Sequence, residues 1–242
     1  MNYLQLCQEL VGELGLAGGT GPATVLNQRG ELANVVRWIR DADLWVSNEW
    51  KTWKFLRTAY SGVIQVGSRE PTPANNPTGV RVRKWDRDSI VINAFSLSAK
   101  PLMFEEWSTF RKLRQIGSAG LTTDEPAIFT VTEIGTDPKL LVYPTANATY
   151  PISGEFWRRP TPLALDTDVP AMPDEYHRLI MVTAAIKYGN REDAPEIIAG
   201  MEAEHVSMLE QLKNDQLEGF EANGESSQDI LLEGAIPGEE WG

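Results

Sequence analysis

The chain has 242 residues, 42% of them apolar and 23% charged, the composition of an ordinary soluble globular protein with a sizeable core. Its net charge of −12 gives no general attraction to nucleic acid, and no apolar run reaches the roughly 18 to 20 residues that cross a bilayer. A single cysteine, Cys7, excludes an internal disulfide and fits a reducing cytosol, and MNYLQLCQELVGEL lacks the positive region of a signal peptide.

Residues 2–14 place Leu4, Cys7, Leu10, Val11 and Leu14 at helical spacing, with Cys7 packed as a small apolar group. Five glycines or prolines between 15 and 22 predict a loop. A longer helix is predicted over 30–55, with Leu32, Val35, Val36, Ile39, Ala42, Val46, Trp50 and Trp53 lining one face. Trp38 and Trp45 fall off that face. Either the apolar stripe is wide, or a second side of the helix meets another subunit, where aromatics are enriched.

Residues 60–160 change character. GVIQVG (62–67), TGVRVRKW (78–85), DSIVINAF (88–95), AIFTVTEIG (127–135), KLLVYP (139–144) and YPISGEFW (150–157) read as short strands. The last three predict an antiparallel meander turning at 135–138 and 145–149. PTPANNPTG (71–79) reads as an exposed loop, and 105–116 as a short helix or an irregular excursion.

Helix then returns. Pro173, Asp174 and Glu175 suit a first turn, with Gly189 as the stop. Asp193 and Pro195 open a last helix to about 214, with Ile197, Met201, His205, Met208 and Leu212 on its face. The fold class expected is α+β: a helical bundle built from the N- and C-terminal helices, an inserted antiparallel β region and an extended C-terminal arm. The divisions are 1–58, 59–162, 163–215 and 216–242.

A search for chemistry is nearly empty, and the reading is not an enzyme, with no catalytic, cofactor or metal residues. His177 and His205 sit on different predicted helices with no metal-ligand spacing. GGTGPAT (18–24) lacks the Lys-Ser/Thr of a phosphate loop and links helix to helix. Asp166 and Asp168 suit turn formation better than a cation. The clusters Arg81, Arg83, Lys84, Arg87 and Arg111, Lys112, Arg114 read as solvated faces or ion-pair partners, with a phosphate-facing patch as the alternative.

Three stretches in order carry a family likeness: MNYLQLCQEL before a Gly-rich loop, residues 30–57 ending in WKFLR, and residues 140–189 with Arg-Arg-Pro, Asp-Thr-Asp and Met-Pro-Asp-Glu-Tyr-His. Together they resemble the head-to-tail adaptor (connector) proteins of tailed bacteriophages, which dock on the portal. The resemblance implies a structural virion protein at the head–tail interface, assembled in the host cytoplasm. It implies a ring homo-oligomer of commonly twelve subunits. Such a ring extends the DNA channel, which genomic DNA crosses without sequence-specific binding, and offers a surface to a downstream tail or nozzle protein. No cofactor and no membrane belong to that picture. It makes Arg158-Arg159-Pro160 the exit from the last strand, where the arginines could pair with acids of a neighbour. Alternatives are a tail-completion or nozzle component and, from another class, a DNA-packaging accessory that binds nucleic acid.

Residues 216–242 carry none of this likeness. They hold seven acids and no Lys or Arg, yet also Ile230, Leu231, Leu232, Ile236 and Trp241. Burying those five side chains would gain roughly 7–15 kcal/mol. Ordering some twenty residues costs about 1–2 kcal/mol each, so backbone pairing or a groove must contribute too. The expectation is an arm, able to span at most about 90 Å, that docks these five residues on the portal or a neighbouring adaptor.

Overall fold

The computed structural model describes residues 1–73, 80–93, 99–115, 122–132 and 137–217. Among them the chain is mixed α+β, with five α-helices and mainly antiparallel sheets. Residues 74–79, most of the expected 71–79 loop, and 218–242, nearly all of the expected arm, lie outside this description.

Helix α1 (Tyr3–Leu14) begins with a reciprocal cap: Asn2 Oδ1 accepts from Gln5 N, and Gln5 Oε1 accepts from Asn2 N, both at 2.9 Å. Two more amides at this end are taken by a distant loop. Tyr3 N donates to Asp168 O (2.7 Å) and Leu4 N to Asp166 O (3.3 Å). The carboxylates of that loop point elsewhere. Asp166 accepts from Val25 N and Thr24 Oγ1, while Asp168 accepts from Ala164 N and Leu165 N. The Asp-Thr-Asp sequence is therefore a turn that ties 163–168 to α1 and to the 24–25 loop. Gly15 ends α1 in the left-handed region (φ 64°), which costs a glycine nothing.

Helix α2 runs Gly30–Glu49 and stops before the expected 55. Trp50 is extended, and Trp53 folds back so that its indole N–H donates to Val46 O at 3.1 Å. Trp53 is fully buried as expected, but Trp50 is partly exposed and Trp38 is buried in its place. The stripe follows Val35, Trp38, Ile39, Ala42 and Val46.

Helix α4 (His177–Glu192) is buried nearly all round, from Leu179 through Ala185, and is the central helix of its layer. It passes through Gly189 instead of stopping there, and ends at Asp193 in the left-handed region. Gly189 serves close approach: a Cβ there would stand 2.8 Å from Ile198 Cγ1 of helix α5 (Pro195–Gln216). Helices α1, α2, α4 and α5 contribute to one apolar cluster. Arg178 of α4 clamps three of them, meeting Glu13 twice at 2.6 Å and Glu204 at 2.9 Å. Those bonds raise its pKa and hold the Glu204 carboxyl below the usual range.

The larger sheet centres on β11 (Tyr150–Arg158). One edge pairs antiparallel with β1 (Arg57–Ile64) over eight residues, from Arg57↔Trp157 to Ile64↔Tyr150. Its other edge takes β3 (Val82–Trp85) and β4 (Val91–Asn93). Strands β2 (Thr72–Pro73) and β5 (Ala99–Pro101) extend it on either side. A second sheet joins β6 (Met103–Phe104), β8 (Ile128–Val131) and β9 (Leu140–Tyr143). Two-residue strands β7 (Thr123–Asp124) and β10 (Thr145–Ala146) form a parallel pair. Helix α3 (Trp107–Phe110) and the wider turn over Arg111–Gln115 fill the region expected to be helical or irregular.

The expected three-strand meander is thus corrected. β8 and β9 pair, but β11 leaves them for β1, because an eight-pair register with β1 satisfies more backbone than four-residue β9 offers.

One buried acid stands out in α2. Asp43 is 3% exposed, its Oδ1 has no hydrogen-bond partner among the described residues, and burial pushes its pKa up to about 7. Its unfolded value is near 3.9. The folded protein therefore binds the extra proton between these values, and the stability from the neutral acid is full below about pH 4 and lost as pH rises through about 7. Asp43→Asn is expected to flatten this dependence and to raise stability at pH 8 by about 1–3 kcal/mol. Denaturant melts of both proteins at pH 5 and pH 8 measure it.

Candidate assembly surfaces

The expected contact residues separate by burial. Trp38 is 6% exposed; its ring meets Tyr188 edge-on (centroids 5.6 Å, 69°) and Arg191 covers it at 5.6 Å. Its apolar area is spent within the chain. Trp45, seven residues on, is 41% exposed and opens onto the space between α2, α4 and α5.

That space is a cleft of about 390 Å³ lined by Trp45, Thr183, Ile186, Lys187, Glu202, His205 and Val206. Trp45 packs against the His205 imidazole at 5.5 Å and 44°. Val206 beside it is 55% exposed. Burial lowers the His205 pKa, so an uncharged ring sits against the indole near neutrality. Burial likewise lowers the pKa of Lys187. The cleft exists because α5 covers α4 with one face and offers the rest to solvent. Along α5 the buried residues are Leu209, Leu212 and Gln216, all in its last two turns, while Ile197, Met201, His205 and Met208 are half-covered.

His177 is fully buried. Its Nδ1 accepts from the Met1 amino group at 2.8 Å, and Nε2 meets Met172 O at 3.2 Å. Burial lowers its pKa, which suits a packed neutral imidazole. Cys7 is buried too, its thiol pushed up to about 12 by the same cause. Among the described residues no cluster of His, Cys, Asp and Glu could hold a metal ion.

Most members of the two basic clusters have partners within the chain. Arg81 faces Asp137 at 3.3 Å, Arg87 meets Glu106 at 2.7 Å and stacks over Phe104, Lys84 lies over Trp157, and Arg114 lies over Tyr143 near Glu105. Arg83 has a role not foreseen. Its Nη1 donates to Ser47 O (3.2 Å) and Trp50 O (3.4 Å) and its Nη2 to Asn48 O (3.3 Å), closing the C-terminal end of α2. The β3–β11 register steps from Lys84↔Trp157 to Val82↔Arg158, leaving Arg83 as the extra residue that such an irregularity re-aims.

Arg158 ends β11 and Arg159 follows it; both are half-buried. Arg159 Nε donates to Val82 O at 3.3 Å and stands 3.7 Å from Asp137. Arg159, Arg83, Lys51, Asn48 and Pro160 line a second open cleft, of about 460 Å³. Ile230, Leu231, Leu232, Ile236 and Trp241 lie outside the described residues.

The two tryptophans make the assignment testable. Trp38→Ala is expected to destabilise the folded chain by about 3–5 kcal/mol, as core aromatic truncations do. Trp45→Ala, at a half-open site, is expected to cost about 1 kcal/mol or less. Chemical denaturation of the dilute protein measures both; equal losses would show that Trp45 is a core residue.

Comparison with curated proteins finds no match. Residues 1–228 match the model of the SU10 adaptor protein family. That span contains all three stretches whose order resembles phage head-to-tail adaptors. The chain belongs to the SU10 adaptor protein family, a family of phage structural adaptors and virion components.

Proposed function

We propose that the protein is a head-to-tail adaptor that closes into a ring beneath the portal, commonly of twelve subunits, and extends the DNA channel toward the tail. Family membership over residues 1–228 carries this reading. In it, residues 1–58 and 163–215 act as one helical bundle, 59–162 as a β-rich insertion, and 216–242 as a docking arm. The Trp45 cleft supports contact between copies, because an apolar recess rimmed by polar residues suits a neighbour's side chains. Arg158 and Arg159 offer cations to the same neighbour at the sheet's end. Trp38 supports that face from within. The arm docks through Ile230, Leu231, Leu232, Ile236 and Trp241 on the portal or an adjacent adaptor. A ring multiplies such weak attachments through avidity. The exposed ring face then receives the downstream tail or nozzle protein.

Mixing purified adaptor with purified portal and imaging the product tests this. A discrete adaptor ring seated on portal is expected, with less attachment from protein lacking 224–242 that still folds. Portal rings that stay bare would contradict the reading, and undiminished attachment by the truncated chain would remove the arm from it.

A further inference from the structure

The cleft between α2, α4 and α5 has an apolar lining of Trp45, Ile186 and Val206 and a polar rim of Lys187, Glu202 and His205. Trp45 is 41% and Val206 55% exposed, so among the described residues the recess lies open. Its indole is held in place by the His205 ring, and the recess is therefore formed before anything enters it. A volume of about 390 Å³ takes a few aliphatic side chains.

The arm leaves from a fixed point near this cleft. Lys54 Nζ donates to Asp215 O (2.9 Å) and Phe55 N to Gln216 Oε1 (3.2 Å), which ties down the last turn of α5. His205 lies on that same helix, about 18 Å back along its axis from Leu217. The stretch 218–229 spans at most about 40 Å. It carries Glu218, Glu221, Glu225 and Asp229, with no Lys or Arg, and leads into Ile230-Leu231-Leu232. The triplet therefore has the reach for its own cleft or for that of a copy alongside. Charge separates the two. A return to its own cleft runs the four acids back along α5, whose exposed residues include Glu202, Glu210 and Asp215. The one cation of α5, Lys213, is half-buried and lies 5.6 Å over the Trp50 ring. Like charges drawn alongside each other repel. An arm from an adjacent copy need not follow that helix, and can enter from the α4 side past Lys187, whose charge Asp41 also feels.

We propose that Ile230, Leu231 and Leu232 of one copy fill the Trp45–Val206 cleft of the adjacent copy, so that the subunits are strapped in series by their arms. The length of chain beyond Leu217, the point from which it departs and the acids on α5 carry the inference. It rests on the ring reading and deepens it. A ring gives every copy one arm and one cleft, and head-to-tail exchange leaves neither unfilled. The arm is thereby divided: the triplet holds a neighbouring adaptor, and Ile236 and Trp241 remain for the portal. In the dilute, unassembled protein the cleft stays open.

A full-length chain carrying Val206→Cys and Leu231→Cys, assembled on portal, imaged and then mildly oxidised, tests this. Cys7, buried with its thiol pushed up to about 12, stays out of the exchange. Denaturing gels without reductant are expected to show a ladder of joined chains. Val66→Cys with Leu231→Cys places the first thiol at an exposed position after β1. That pair should give about tenfold less ladder, because only a docked arm holds its thiol at high effective concentration. Should the cysteines disturb assembly, rings of a chain with Ile230, Leu231 and Leu232 changed to Ser give the second measurement. Trp45 in those rings should oxidise as fast as in the isolated protein. A disulfide closed within one chain would overturn the assignment to a neighbour. A ring with no ladder, or one whose Trp45 stays protected without the triplet, would overturn the site. Portal left bare by the unmodified chain would contradict the ring reading and take this inference with it, so the two failures are told apart.

Discussion

Helix α4 is buried on nearly every side, and that demand shapes the rest of the helical layer. Residues 179–185 need cover from α1, α2 and α5 together. Gly189 lets α5 lie close enough to supply it, and Arg178 of α4 ties α1 and α5 to it through Glu13 and Glu204. Among the described residues nothing lies over the outer face of α5. A helix that covers without being covered must present a mixed surface, and along its first half α5 does so, with Val206 and half-covered Ile197, Met201 and His205. The Trp45 recess is the remainder left after α4 is buried.

The helices and the sheet are joined by complementary shortfalls. The end of α2 leaves the carbonyls of Ser47, Asn48 and Trp50 to be met from outside the helix, and the extra residue of β3, Arg83, donates to all three. Arg57 reinforces the junction from β1, meeting Asp86 at 2.6 Å, pairing with Glu155 and lying over Trp157. These contacts bind the end of α2 to the larger sheet.

Local chemistry was legible in the sequence wherever the residues that decide it are neighbours. The Asn2 start of α1, the first-turn proline of α5 and the turn role of Asp166 and Asp168 all follow from short-range pattern. What could not be read depends on distant partners. α2 ends at Glu49 because Trp53 turns back and Arg83 arrives from β3, so the apolar period beyond Glu49 was misleading. Gly189 carries the composition of a stop but does the work of a close contact. β11 follows β9 closely in sequence, yet β1 offers the longer register. The basic residues around 81–87 were visible as a cluster, but nothing local showed that Arg83 would serve α2 while Arg81 and Arg87 met acids. Family membership, by contrast, was carried by order and spacing over long stretches.

The adaptor account holds that the surface left open by α5 and Trp45 is completed by another copy of the chain. Oxidative footprinting of tryptophans, comparing isolated protein with the assembled head–tail junction, tests it most directly. Trp45 should react in the isolated protein and become protected on assembly, while Trp38 stays protected throughout. Trp45 equally reactive in both states would contradict the account.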